Sequence, residues 1–409
     1  MQKIQLKHIL FLQNGYAFKS YLFNPEHKGM PLIRISNIKD NIVSLNDLKW
    51  IRNENIPNRD FYISKGDLLI AMSGATTGKM GLYTSEMNCL LNQRVGKFCI
   101  KENNQISRNY VISVLLSGLI KEKILASSAG GAQPNISSKS IEEITIPLPP
   151  LPEQKKIAEI LSEIDQLIEL TQSQLNKLEI FKKSCVEELI TKGIGQKEFK
   201  NSVFGLIPNH WKVKKFSEIT NSITCGVAAT PKYVQRGEGI PFLSAQNVRN
   251  GEVLLDKFKF ISRVFHLKLI KNTKPKKGDI LYSRVGAGFG EAAVIKFDWE
   301  FSIYVSLTLI KLKNSFSSEF YKYFLNSFHG KKQAKSGVFA GGGVPNLNVG
   351  VVKDFDVLVP PQEEQEIIVT YLKSLDIHID QKKKKISQLQ TLKKGLSSDL
   401  LSGRKKVFV

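Results

Sequence analysis

The sequence predicts an α+β protein. Two tandem mixed α/β globules are each followed by a long helix, and the two helices pair as an antiparallel coiled coil with pseudo-twofold symmetry. Three observations carry this expectation. A period of about 211 residues runs through the 409-residue chain. Two segments of roughly 40 residues repeat apolar side chains at alternating spacings of four and three, the signature of a helical seam. The segments before them are short β-branched or aromatic runs, separated by glycine- and asparagine-rich turns.

The repeat is clearest where PLPPLPEQKKIAEILSEID (147–165) matches LVPPQEEQEIIVTYLKSLD (358–376). Three further pairs follow in the same order. GDLLIAMSGATTG (66–78) matches GDILYSRVGAGFG (278–290), GGAQPNI (130–136) matches GGGVPNL (341–347), and PLIRISNI (31–38) matches PFLSAQNV (241–248). Such a duplication fixes the architecture before any residue is interpreted. The expected blocks are 1–150, 151–195, 196–360 and 361–409.

In each globule, runs such as LIRISNI, DLLIAM, FKFI, DILYS and SLTLIKL read as strands of a mainly antiparallel sheet. Helical segments are expected at 107–126 and 317–335. The first long helix starts at Pro152 and Glu153, where a missing N–H costs nothing and negative charge is favoured. Its seam is Ile157, Leu161, Ile164, Ile168, Thr171, Leu175, Leu178, Lys182, Cys185 and Leu189. The second begins near Glu363 and Glu364, with Ile368, Leu372, Leu375, Ile379, Lys382, Ile386, Leu389, Lys393, Leu396 and Leu400 on its seam. The polar interruptions coincide, Thr171 with Lys382 and Lys182 with Lys393, and polar seam residues fix register and partner choice. Gly193 and Gly403 are C-terminal stops. The bland alternative is that each helix packs only on its own globule.

Composition narrows the function. Hydrophobic residues make up 42% and charged residues 23%, an ordinary globular balance. The 59 Lys and Arg against 37 Asp and Glu give a formal charge of +22, which calls for a polyanionic partner. Nucleic acid is the first candidate and an anionic membrane surface the second. The longest nearly apolar run, Val111–Ile120, is about half of the ~20 residues a membrane helix needs, so a membrane is not expected. Cys89, Cys99, Cys185 and Cys225 form no C-x-x-C pair, which argues against a metal site. Free thiols and no export signal place the chain in the cytoplasm.

Catalytic motifs are missing. GATTGKMG (74–81) has three residues between Gly74 and Gly78 where a phosphate loop needs four, and Met80 replaces the magnesium-binding hydroxyl. The second copy has Glu291 in place of Lys79. A tight turn is the better reading. Asp67 and Asp279 read as turn residues before strands. No catalytic residue, cofactor or metal is assigned to this chain.

DNA reading needs forked or amide side chains on loops or helix ends. The candidates in the first globule are Lys19, Arg34, Asn37, Thr76, Thr77, Lys79, Gln93 and Arg94. In the second they are Lys232, Tyr233, Gln246, Asn247, Arg249 and Arg284. Surface solubility is the competing explanation for each. Residues 381–409 add nine Lys or Arg with one acidic residue. Such charges give affinity and salt dependence without sequence information.

In these residues the chain resembles the specificity subunit of type I restriction–modification systems over essentially its whole length. The resemblance rests on IPLPPLPEQKKIA (146–158), GDLLIAMSGATTGK (66–79), LLNQRV (90–95), GGAQPNIS (130–137) and GLIPNHWKV (205–213). The second helix start, PPQEEQEIIV, is less close to the family pattern. The resemblance implies that the globules are target recognition domains, each reading half of a split DNA sequence, with the paired helices as a spacer. It implies two methyltransferase subunits docked on the helices and binding S-adenosylmethionine. Restriction subunits using ATP and magnesium can join. Rival readings are the specificity subunit of a fused nuclease–methyltransferase system, a single-chain enzyme, and a coiled-coil scaffold without sequence-specific DNA binding.

Overall fold

The computed structural model describes residues 2–56, 61–101, 103–127, 135–286, 288–338 and 346–407. The chain divides into two compact units. One comprises residues 1–172 together with 384–409, the other residues 173–383. The four consecutive blocks expected from the sequence cut across these units. The reason lies in the long helices, Leu151–Lys192 and Gln362–Ser402. Each gives its N-terminal half to the unit holding the globule it follows, and its C-terminal half to the other unit.

In the first unit, a five-stranded sheet runs in the order Leu10–Asn14, Val95–Ile100, Leu68–Ala71, Met80–Leu82, Asn41–Ile42. A four-stranded sheet runs Lys49–Ile51, Met30–Ile33, Cys89–Leu91, Tyr62–Ile63. Most pairings are antiparallel. Leu32 against Leu90 and Asn41 against Gly81 are parallel. The expected helical segment is two helices, Arg108–Leu115 and Gly118–Ser127, separated at Ser117. One core of Leu10, Leu68, Ile70, Phe98, Tyr110, Val111 and Ile146 continues into Ile157 and Leu161 of the first long helix, and into Leu400 and Leu401 of the second.

The second unit repeats this plan. Its sheets run Thr220–Cys225, Leu307–Leu312, Ile280–Ser283, Ala292–Val294 and Tyr233–Val234, Lys259–Ile261, Ile240–Leu243, Ser302–Ile303. Phe242 against Ser302 is again parallel. Helices Ser318–Asn326 and Phe328–Ser336 follow. Its core joins Tyr282, Phe320, Tyr321 and Phe324 to Ile368 and Leu372 of the second long helix, and to Val186 and Ile190 of the first.

Within each unit the long helices pair antiparallel. In the first, the Val407 amide donates to Glu153 Oε1 at 3.4 Å, while Lys393 Nζ meets Asp165 Oδ1 at 2.5 Å. In the second, Lys382 Nζ donates to Gln174 Oε1 at 2.7 Å, Lys383 meets Glu179 at 3.0 Å, and Lys182 pairs with Asp376. The expected seams are the covered faces. Ile157, Leu161, Leu175, Ile368, Leu372, Ile379, Ile386 and Leu400 are buried. Ile164, Ile168, Leu178, Leu189, Leu375, Leu389 and Leu396 are half-buried. Gly193 and Gly403 stop the helices at φ +67° and +78°, a conformation that favours glycine.

The helix starts are stapled by the glutamine of the repeated PP-x-x-x-Q pattern. Gln154 accepts from the Ser107 amide at 2.9 Å and donates to the carbonyls of Gln105 and Pro149. Gln365 accepts from the Ser317 amide at 2.9 Å and donates to Pro360 O. Burial pushes the phenols of Tyr110 and Tyr321 up, and both donate to strand carbonyls, Pro147 O and Leu358 O. The GLIPNHW segment serves the second helix. Fully buried Trp211 donates to Glu364 Oε2 at 2.9 Å, and Gln196 donates to Glu364 Oε1 at 3.0 Å.

Candidate nucleic-acid interface

In the first globule four strands end at one place. Asn14 and Ala71, the last residues of their strands, lie opposite Gly96 and Val95 at the start of one strand. Ile33 and Leu91 end side by side in the parallel pair. The turns that follow are tied together. The Tyr16 amide donates to Leu91 O at 3.0 Å and the Gln93 amide to Tyr16 O at 2.9 Å. Met72 N donates to Arg94 O at 2.9 Å, and Thr76 Oγ1 to Ile35 O at 3.2 Å. The approach is close at Gly15, where a Cβ would stand 2.3 Å from Asn92 O.

The second globule builds the same cluster. Tyr304 N donates to Leu243 O at 2.8 Å, Val227 N to Ile303 O at 3.2 Å, and Arg284 N to Ser306 O at 3.0 Å. Gly226 stands where Gly15 does, with a Cβ position 2.2 Å from Ile303 O. Two clusters of loops at converging strand ends are the natural place for recognition on a rigid scaffold.

Their side chains sort into three groups. In the first, side chains expected to read bases are engaged in hydrogen bonds within the fold. Asn37 is buried. It accepts from the Arg34 amide and donates to the carbonyls of Ser44 and Asn46, so its amide is consumed in holding its own turn. Asn247 repeats this, accepting from the Ser244 amide and donating to Leu254 O and Lys257 O. Arg284 is buried and clamps the following segment, with Nε on Leu347 O at 2.8 Å and Nη2 on Asn346 Oδ1 at 3.3 Å. Buried Thr77 donates to Gly74 O at 2.6 Å. None of these four presents a free edge to a base.

The second group is partly engaged. Arg34 Nη2 lies 3.3 Å from Asp47 O and 3.5 Å from the Asp47 carboxylate. Lys79 stands 3.9 Å from Asp40, whose carboxyl is held below its usual range by the hydrogen bond from Lys121. Thr76 spends its hydroxyl proton on Ile35 O. Tyr233 is half-open, with Lys259 Nζ 4.0 Å from its ring centre.

The third group is open. Lys19, Gln93, Arg94, Lys232, Gln246 and Arg249 are exposed. The side chains of Gln93, Arg94 and Gln246 make no hydrogen bond or ion pair among the described residues. Gln93, Arg94 and Lys19 lie on or beside the first cluster, and Gln246 tips a turn of the second. Arg249 sits in the hairpin after that turn, opposite Glu252. Lys232 precedes the edge strand of Tyr233, whose ring reaches the cluster through Phe242 and Tyr304 at centroid distances of 6.4 and 6.0 Å.

The segment 74–81 is a turn. The amides of Thr77, Gly78 and Lys79 donate to Gly74 O, Ala71 O and Thr76 O, so they are not available to cradle a phosphate. Most of GGAQPNI and GGGVPNL lies outside the described residues. Their next-to-last residues, Asn135 and Asn346, bridge to Ser73 and Val285. Among the described residues no group of three or more His, Cys, Asp or Glu is placed to hold a metal. No described helix is long and apolar enough to cross a membrane.

A family model for the type I restriction modification DNA specificity domain matches residues 1–180 and again residues 208–391. The chain belongs to this family. Each match covers one globule and much of the long helix after it, so this specificity chain carries the family domain twice. It is 28% identical to the type I restriction enzyme MjaVIII specificity subunit of Methanocaldococcus jannaschii, over 92% of this chain and 86% of that one. It is 29% identical to a putative MjaX specificity subunit of the same organism, over 98% and 93%. The EcoBI specificity subunit of Escherichia coli is 25% identical over 98% and 84%. The fold is shared with the type I restriction–modification S subunit from M. genitalium, with a TM-score of 0.56 at 18% identity, covering 98% of this chain and 96% of that one. A chain solved in work on complex assembly of the type I R-M system gives 0.60 at 16% identity, covering 99% and 98%.

The sequence did not single out Tyr16, Tyr21 and Ser36, whose side chains are exposed beside the loops of the first specificity domain. It also missed Asp165 and Asp376, the partners of the seam lysines. The signal for the loops was the matched pair Gly15 and Gly226, each ending a strand ahead of the other repeats.

Proposed function

We propose that this chain is the non-catalytic, sequence-reading subunit of a DNA methyltransferase complex in the cytoplasm. Each globule reads one half of a split double-stranded target, and the paired helices hold the halves at a set spacing. Two methyltransferase subunits dock on the helices and bring S-adenosylmethionine, so methyl transfer takes place on them and not on this chain. Restriction subunits using ATP and magnesium can join the same assembly.

The observation that carries this reading is the duplicated loop cluster, one scaffold with different exposed side chains in its two copies. Two unlike half-sites require such a pair. The net charge of +22 supplies the sequence-independent attraction to phosphate.

The test is to purify the chain with and without its methyltransferase partner and assay both with DNA and S-adenosylmethionine. Methyl transfer is expected only from the assembled complex, with native mass spectrometry giving two methyltransferases per chain. Transfer by the purified chain alone would overturn the non-catalytic assignment.

A further inference from the structure

The hydrogen-bond register states which loop positions of the two globules correspond. Tyr16 bridges to Asn92 as Val227 bridges to Tyr304. Met72 N donates to Arg94 O as Arg284 N donates to Ser306 O. Asn92, Gln93 and Arg94 therefore occupy the places of Tyr304, Val305 and Ser306. Buried Asn37 and Asn247 hold the same tight turn by the same bonds, which places Ser36 and Gln246 in register.

At these matched places the long polar side chains change turns. After the strand Cys89–Leu91, the first globule exposes Gln93 and Arg94. The second has half-buried Val305 and buried Ser306, whose hydroxyl accepts from the Ala245 amide at 3.0 Å. At the tight turn the difference reverses. The first globule has the short Ser36, and the second exposes Gln246.

We infer that Arg94, with Gln93 beside it, is the base-reading residue of the first globule, and that Gln246 is that of the second. This rests on the DNA-specificity reading above and deepens it. The fork of Arg94 matches the O6 and N7 acceptors of guanine in the major groove, and the amide of Gln246 matches N6 and N7 of adenine. Both side chains are carried on fixed backbone. The Gln93 amide is bonded to Tyr16 O, and the Gln246 turn is held by Asn247 and by Ser306. Of the other forked or amide candidates, Asn37, Asn247 and Arg284 are engaged inside the fold, Arg34 is tied to Asp47, and exposed Arg249 stands off the cluster, in the hairpin opposite Glu252. Lys19 and Lys232 are point charges suited to phosphate.

The experiment maps methylated adenines genome-wide for complexes of the methyltransferase with the wild-type chain, Arg94→Ala, Arg94→Lys and Gln246→Ala. Arg94→Ala is expected to relax one base in one half of the motif, with discrimination there falling about tenfold to a hundredfold. The other half and the gap stay unchanged. Arg94→Lys keeps the charge but loses the fork, and relaxes the same base. Gln246→Ala relaxes one base of the other half. A uniform loss of methylation with an unchanged motif, rescued by Arg94→Lys, would make Arg94 a phosphate contact and overturn the inference. So would unchanged motifs, or both alanine variants acting on the same half. A wild-type complex that methylates without a split motif would instead defeat the underlying reading.

Discussion

Gln154 and Gln365 show what one side chain does when it is buried with both ends engaged. Each bonds a helix-start amide, at Ser107 or Ser317, to the carbonyls ahead of its own long helix. Gln154→Ala leaves those buried groups unmade, at about 1–3 kcal/mol for each one stranded. The expected result is lost hydrogen-exchange protection at Ser107 and a lower unfolding midpoint, with the methylated motif unchanged. His266 offers a pH test. It is buried, with Nδ1 2.9 Å from Ser302 Oγ and with Nε2 making no hydrogen bond among the described residues. Burial holds its pKa below the usual 6.5, opposed by Glu300 at 4.0 Å and assisted by Arg263 and Lys274. Between the folded and unfolded values the unfolded chain binds more protons, so stability falls as pH drops below about 6.5. Urea midpoints at pH 5 and 7 should differ, and His266→Phe should shrink the difference. At this scale the sequence is least legible. Asn37, Asn247 and Arg284 have the right chemistry for reading bases, but their partners are carbonyls 7 to 63 residues away. Residue type alone does not show that an amide is already used.

The long helices were legible because a seam repeated every three or four residues is a property of the chain itself. What the lysines on that seam meet was not, because antiparallel register is set by the globules. Lys393 meets Asp165 and Lys182 meets Asp376, so each copy's lysine finds the other copy's aspartate. In the second unit Tyr323 adds a hydrogen bond to Asp376 at 2.5 Å. These pairs are half-buried, between exposed pairs worth under about 1 kcal/mol and buried ones costing about 3–5 kcal/mol to break. Lys182→Asp should therefore destabilise by about 1–2 kcal/mol, and Lys182→Asp with Asp376→Lys should recover part of the loss. A double variant no better than the single one would show that the pair does not set register. The loop clusters were half-legible for a related reason. Glycines and turn residues announced the bends, whereas the convergence of four strand ends is a property of sheet order.

For the whole molecule, the duplication was the most informative feature, since it announced two similar globules and two similar helices. It did not announce that each helix is divided between compact units at residues 172–173 and 383–384. If the helices act as the spacer between half-sites, one heptad inserted after Gln172 and another after Lys383 lengthens each by about 10 Å. At ~3.4 Å per base pair the preferred gap should then grow by about three base pairs. An unchanged gap would refute the spacer role while leaving the reading role intact. Whether this chain decides which DNA sequence its complex modifies is measured by expressing it with its methyltransferase in an unmethylated host and mapping modified adenines by single-molecule sequencing. One split motif is expected, two short blocks around a fixed unspecified gap. An assembled, active complex that methylates adenines without sequence preference would contradict it.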